Sequence, residues 1–264
     1  LEAELEAELE ARINQYEETR DRLMAFDALE GHPLSELIRE LCPEGVESTP
    51  LREVCVDFVV PMRDRPKVFD GPIPWCRIED VQSMSLDGSK LGLGVSDEVI
   101  KQMNLKVMPA GTVLATCSAS LGTYAITSRP LVTNQTFIGL VCGERIANRF
   151  LLHVMHTKTE ELRASSTTGT IAYVSRRKFE DLHVPVPPLP VQEEIVRILD
   201  TFTKLEAELE AELEARTIQY EETRNRLMDF GSIKGHHLSG LIRELCPEGF
   251  GTEELGSLVI RHSG

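Results

Sequence analysis

The chain repeats itself across a gap, and no other feature limits its folding more. Leu1–Gly45 returns as Leu205–Gly249, identical at 35 of 45 positions. LEAELEAELEAR opens both copies (Leu1–Arg12, Leu205–Arg216), QYEETR follows (Gln15–Arg20, Gln219–Arg224), and LIRELCPEG closes them (Leu37–Gly45, Leu241–Gly249). The residues from Val46 to Lys204 are unrelated to either copy. Two matching cassettes around one unique insert suggest a frame that presents the insert. They do not suggest a solenoid, whose repeats follow one another without gaps. Identical elements also pack readily about a two-fold axis.

Each cassette opens as a helix. Leu, Glu and Ala are strong helix formers, and neither Gly nor Pro interrupts before Gly31, which sits where a helix C′ residue is expected. In the second copy, VQEEIVRILDTFTK runs directly into Leu205, which predicts one helix from about Val191 to Phe230. Forty residues at 1.5 Å each span roughly 60 Å. Pro187 and Pro188 stop the preceding segment, and Pro190 suits a first helical turn. A four-residue leucine repeat advances about 400° per unit, so the apolar stripe drifts about 40° per unit around the helix. The glutamates outside that stripe repel one another, so the helix needs a partner, most simply the other cassette. A short amphipathic helix follows the glycine turn (Leu34–Leu41, Leu238–Leu245), and CPEG leads into an apolar segment near Leu51–Val60 or Leu255–Ile260.

The insert has another pattern. Val54–Val60, Leu105–Cys117 and Thr136–Cys142 are rich in Val, Ile, Thr and Phe and read as strands, with a turn at Pro109–Gly111. Asn148–Ala164 has helical periodicity, Ser165–Thr170 is a polar loop, and Tyr173–Pro187 reads as extended. The fold expected is α+β: one mixed α/β domain plus long α-helices that pack antiparallel in a coiled-coil-like pair. The expected boundaries are a first cassette at 1–45, a domain at 46–190, the long helix and second cassette at 191–249, and the start of a further domain or tail at 250–264. The start at Leu1 within a helical repeat suggests a piece of a longer protein, or a processed or permuted chain.

Net charge is −15, which argues against a polyanion ligand until the charge is mapped. Leu51–Pro188 carries 16 Lys and Arg against 14 Asp and Glu, so the excess acid lies outside the insert. Within the insert, bases cluster at Arg63, Arg65 and Lys67 and at Arg176, Arg177 and Lys178. No signal peptide and no run of 18 apolar residues appears in the sequence, so a membrane span is not expected. The six cysteines form no C-x-x-C pair and read as reduced core thiols of a cytoplasmic protein. No P-loop, H-E-x-x-H, G-x-S-x-G or zinc-deaminase signature occurs, nor the acidic- or amide-Pro-Pro-aromatic tetrapeptide of adenine methyltransferases. Leu91–Gly94 has two glycines without a strand–turn–helix setting and reads as a loop. His153 and His156 lack a supporting ligand cluster and read as core or surface residues rather than a metal site.

The stretch from Val184 to Met228 resembles the conserved region of type I restriction–modification specificity subunits. Gly169–Pro187 is similar to the end of their target-recognition domains, and LIRELCPEG to the lead into one. Members carry two such domains joined by antiparallel helices, each domain reading half of a bipartite site. This chain holds one, so it resembles a half-subunit. The resemblance implies a non-catalytic DNA-recognition subunit with no cofactor of its own. Its partners would be double-stranded DNA, methyltransferase (M) subunits and a restriction (R) subunit, in a complex using S-adenosylmethionine, ATP and Mg. It also implies pairing of two copies on a palindromic bipartite site. The alternative is a coiled-coil scaffold whose insert binds protein.

On this reading Arg63, Arg65, Lys67, Arg176, Arg177 and Lys178 contact phosphates. Ser118, Ser120, Tyr124, Arg129, Asn134, Gln135 and Thr168, taken to lie in polar loops, read bases. Thr133–Phe137 reads equally as a turn packed into a strand. Glu193, Glu194, Tyr220 and Arg224 on the long helix would meet the M subunits, while Ile195, Ile198 and Leu199 pack within the helix pair.

Overall fold

The structure is a computed structural model that describes residues 2–26, 31–82, 84–118, 120–166, 173–228 and 244–245; for residues 2–6, 206–207 and 227–228 it describes the backbone alone. Gly235, Cys246, Leu255–Ile260 and most of the second short helix lie outside the described residues. The elements are α1 (Glu2–Met24), α2 (Leu34–Leu41), β1 (Ser48–Pro50), α3 (Leu51–Val54), β2 (Cys55–Val59), β3 (Ile73–Cys76), β4 (Ser85–Leu86), β5 (Gly94–Val95), α4 (Asp97–Met103), β6 (Val113–Thr116), β7 (Tyr124–Thr127), β8 (Val132–Thr133), β9 (Phe137–Cys142), α5 (Asn148–Thr157), α6 (Thr159–Ser165), α7 (Arg176–Glu180), β10 (His183–Pro185) and α8 (Leu189–Met228). The class is α+β. Two compact units emerge, Glu10–Ala207 and a second of Leu1–Leu9 with Glu208–Gly264. In the second, the described part of α8 is solvated, with Ile218 and Tyr220 more than half exposed.

The larger unit is built on a five-stranded sheet in the order β2-β9-β6-β7-β4, antiparallel except where β4 meets β7. Strand periodicity divides its side chains between two cores. Val113 and Ala115 of β6, Tyr124 of β7 and Ile138 and Leu140 of β9 enter the main core with α5. Their neighbours Leu114, Ala125 and Phe137 enter a second core with Cys76, Leu86, Met108 and Leu131. All four residues of β6 are buried for this reason. A three-stranded sheet, β5-β3-β8, supports a third core around Trp75. Gly94 sits in β5, where an added Cβ would fall 2.2 Å from the Gly71 carbonyl oxygen, so this position of the Leu91–Gly94 segment needs glycine. β1 pairs antiparallel with β10, so the strand entering the domain is clamped to the one leaving it.

Six consecutive residues of α5, Phe150–Met155, are buried, so this helix is covered all round. That cover includes His153, and both long helices bring a polar group to it. Tyr16 of α1 lies 2.8 Å from His153 Nδ1. His153 Nε2 lies 3.6 Å from Asp200 Oδ1 of α8, an electrostatic contact rather than a hydrogen bond. The Tyr16 hydroxyl and Nδ1 share one hydrogen bond, while the Asp200 carboxylate faces Nε2. Arg149 donates to the same carboxylate at 2.6 Å. About two turns earlier in α8, buried Gln192 accepts from the Ala147 amide at 2.8 Å and donates to the carbonyls of Arg145 and Pro187 at 2.9 and 2.7 Å. Leu23, Val191, Ile195 and Leu199 enter the same core.

Several expectations are corrected. α1 ends at Met24 rather than near Gly31, and Phe26 already has positive φ (47°). Gly31 (φ 80°) belongs to the turn into α2. The helix expected over Asn148–Ala164 divides at Lys158 into α5 and α6. The segment taken as extended after Tyr173 forms α7, and a helical turn, α3, precedes β2. Among the described residues no helix is long and apolar enough to cross a membrane.

Removing the Tyr16 hydroxyl in a Tyr16→Phe variant should cost on the order of 1 kcal/mol, or more if His153 loses its partner in the dry core, measured by urea denaturation. Burial holds both His153 and His156 below the ordinary histidine value of 6.5, His156 at about 3. As pH falls through 6.5 the unfolded chain takes up protons that the folded chain refuses, so stability should decline from about pH 7 toward pH 4. A His156→Phe variant should flatten that slope in denaturation curves recorded across the range.

A candidate nucleic-acid interface

Strand ends and one short helix converge on a single cleft of about 510 Å³. β6 ends into Cys117 and Ser118, β9 begins at Phe137 after Gln135, and β2 runs out through Val60 and Pro61 to Arg63. Tyr173 and Val174 lead into α7, whose first residue, Arg176, completes the lining. The backbone fixes these pieces together. Val174 donates to the Cys117 carbonyl at 2.8 Å, Cys117 donates to Thr136 at 2.8 Å, and Ser118 bridges to Tyr173. The Cys117 thiol lies 3.3 Å from the Thr136 carbonyl, and burial pushes it up to about 11, so it is a packing residue and not a nucleophile.

The wall is apolar and the rim cationic. Phe137 and Ile138 are buried in the wall, while Val60 and Tyr173 are 40% and 42% exposed at its edge. Burial raises the Tyr173 phenol above its usual value, against the pull of the nearby Arg63 guanidinium. Arg176 packs over the Phe58 ring with its guanidinium carbon 5.8 Å from the centroid, and its Nε donates to Glu180 at 2.6 Å. That leaves its terminal nitrogens for another acceptor. A roomier groove of about 570 Å³ between α1 and α6 also holds arginines, but Arg20 is paired with Asp21 and Arg163 with Glu160.

Of the residues singled out by sequence, Arg63, Ser118, Gln135 and Arg176 meet at this cleft. Arg177 and Lys178 follow on exposed positions of α7, Arg177 with Asp181 at 3.5 Å. Arg65 sits over Phe69 and Trp75, 5.4 and 5.3 Å from the two centroids, which organises the loop that carries Lys67. Ser120 and Arg129 are exposed outside the cleft lining, and the Ser120 carbonyl accepts from Thr116 at 2.7 Å. Thr133–Phe137 resolves into the end of β8, a turn and the start of β9. Asn134 serves the turn, its side chain accepting from Thr136 at 3.4 Å, while Gln135 stays exposed. Tyr124 is a correction: it lies within β7, 2% exposed, with its hydroxyl 3.1 Å from Thr159 Oγ1, because the alternation of that strand aims it into the main core. Thr168 lies outside the described residues. On α8, Glu193 is exposed, Glu194 is paired with Arg197 at 2.6 Å, and Arg224 lies 5.8 Å from the Tyr220 ring.

Sequence reasoning missed Tyr173. Its signal was an aromatic two residues before a Ser-Arg-Arg-Lys run, read there only as the start of an extended segment.

Residues 43–215 match the family of the type I restriction modification DNA specificity domain. The chain is 26% identical over 203 residues to the type I restriction enzyme MjaIX specificity subunit of Methanocaldococcus jannaschii, covering 74% of this chain and 47% of that protein. It is 27% identical over 240 residues to the EcoR124I/EcoR124II specificity subunit of Escherichia coli, covering 87% and 56%. The chain thus spans about half the length of the curated relatives it matches. In fold it is similar to the S subunit of a type I restriction–modification system from M. genitalium, with TM-score 0.59 and 14% identity over 84% of this chain and 55% of that one.

Proposed function

The chain belongs to the type I restriction modification DNA specificity domain family, and from that premise we propose that it is a non-catalytic subunit that reads DNA sequence for a methyltransferase and a nuclease. The observation that carries the reading is the convergence of Arg63, Ser118, Gln135 and Arg176 on one cleft. Cations at the rim, continued by Arg177 and Lys178 on α7, suit phosphates and orient the domain. Ser118 and Gln135 between them offer hydrogen-bonding groups for base edges. The chain's net charge of −15 is no obstacle, because the excess acid lies outside the insert and a local field governs the encounter.

Methyltransferase subunits dock on α8 through Glu193, Glu194, Tyr220 and Arg224, and the restriction subunit joins through that complex in the cytoplasm. S-adenosylmethionine, ATP and Mg belong to those partners. Two copies pair through antiparallel long helices and read a palindromic bipartite site. The duplicated cassette supports pairing. Tyr16 and Arg20 are buried, 4% and 7% exposed, whereas their repeat mates Tyr220 and Arg224 are exposed. The same side chains that dock in one copy are therefore available in the other.

The test is to purify the chain with an M subunit encoded beside it, supply S-adenosylmethionine, and sequence the methylated DNA. Methylated adenines in a symmetric bipartite motif are expected; a complex that methylates without sequence preference would overturn the reading. DNA affinity should fall steeply with salt, and Arg63→Ala should weaken binding about equally on all sequences while lowering the log–log salt slope by about one. Each tetrapeptide adds about 6 Å of helix, against about 3.4 Å per base pair. Deleting Leu205–Glu208 should therefore shorten the preferred half-site spacing by about one or two base pairs in a binding-site selection.

A further inference from the structure

We propose that the cleft reads an A·T base pair, with Gln135 on the adenine edge and the exposed apolar edge formed by Val60 and Tyr173 receiving the thymine methyl group. The inference rests on the DNA-recognition reading above and goes beyond it by naming the base pair and the side that holds each base.

Four base-pair patterns are distinguishable in the major groove, and each asks for a different lining. Cytosine presents an N–H donor best met by a carboxylate, and among the described residues none lining the cleft is acidic. Guanine presents two acceptors to a bidentate Arg or Lys. Here the cleft's two arginines, Arg63 and Arg176, lie on the cationic rim assigned above to phosphates, and Arg176 already has its Nε on Glu180. A guanine would also set polar edges against the apolar wall and leave that wall without a partner. Thymine alone offers a carbon group in the major groove, and an exposed apolar wall is what a methyl group requires. Adenine presents one acceptor and one donor, which a Gln amide meets with two hydrogen bonds, and Gln135 is exposed on the same cleft. Two independent features, an exposed amide and an apolar edge exposed at Val60 and Tyr173, thus select the two halves of one base pair.

Tyr173 is the specificity-determining residue this assigns. The residue is 42% exposed, yet its backbone is held by the Ser118 bridge and by the neighbouring Val174–Cys117 hydrogen bond. A large apolar face on a fixed backbone presents contact area at little cost in order, which a flexible loop residue could not do.

The experiment selects the preferred site from random duplex DNA with the chain in complex with its M subunit, then replaces each thymine in turn by deoxyuridine, which lacks only the methyl. One A·T pair per half-site is expected to show a penalty of about fourfold, the worth of one buried carbon. Tyr173→Ala should erase that penalty at that position alone, and Tyr173→Phe should retain it. Gln135→Ala should relax the preference for the paired adenine by roughly 5- to 150-fold. Both residues are exposed, and circular dichroism checks that the variants fold. If no thymine shows a deoxyuridine penalty, or if Gln135→Ala leaves the motif intact, the A·T assignment fails while DNA recognition stands. If the complex selects no sequence at all, both readings fail.

Discussion

The structure depends on what surrounds one buried imidazole. α5 is covered on every side, and a helix so placed would ordinarily be wholly apolar. His153 instead puts two polar nitrogens into the driest part of the molecule, where an unpartnered polar group is costly. Tyr16 supplies one partner from α1 and Asp200 faces the other nitrogen from α8. Both contacts act beside the apolar packing of Leu23, Val191, Ile195 and Leu199, which sets the same helices against the domain. Gln192 repeats the device a few residues upstream of Asp200, with every hydrogen bond directed at backbone groups beside α5 or before α8. The frame is therefore coupled to the insert through polar contacts buried in an apolar core, which specify position more sharply than apolar packing alone.

The cleft sits where such constraints end. Within the sheet, side chains of β6, β7 and β9 are committed to one of two cores. Beyond Thr116 and before Phe137 the strands stop, and Ser118 and Gln135 are released from packing while their backbones remain tied to Tyr173 and Cys117. The β1–β10 clamp holds α3 and α7 near each other, so Arg176 reaches the cleft from the segment that leaves the domain while Arg63 reaches it from the segment that follows β2. Polar groups on a rigid scaffold, with an apolar wall between them, form the arrangement that recognition of a polar, shaped surface requires.

Much of the fold was legible in the sequence. α2 over Leu34–Leu41, β9 over Phe137–Cys142 and the long helix begun by Pro190 follow from periodicity, branched residues and a proline that only a first turn tolerates. The misreadings came where local pattern and packing disagree. Tyr124 has a polar hydroxyl and polar neighbours, so it reads as a loop residue; only its place opposite Ala115 in the β6–β7 register shows that it faces the core. Ser175–Glu180 lies between extended-looking flanks, yet Phe179 is buried and one helical turn delivers it to the core. Gly31 looked like a helix stop, but α1 had already ended and the glycine turns the chain into α2.

What the sequence determined alone was the frame: a duplicated helical cassette, a mixed insert, the separation of acid from base, and the basic runs from which Arg63 and Arg176 were drawn. Composition and spacing encode these because helix propensity and charge are local properties. Tertiary structure decided which of the chosen residues share a site, that Tyr173 joins them, and that His153 belongs to a helix lock. Those outcomes depend on pairings between residues as distant as Tyr16 and His153 or Ser118 and Tyr173. No local pattern carries such information; burial and strand register bring those groups together only when the whole domain closes.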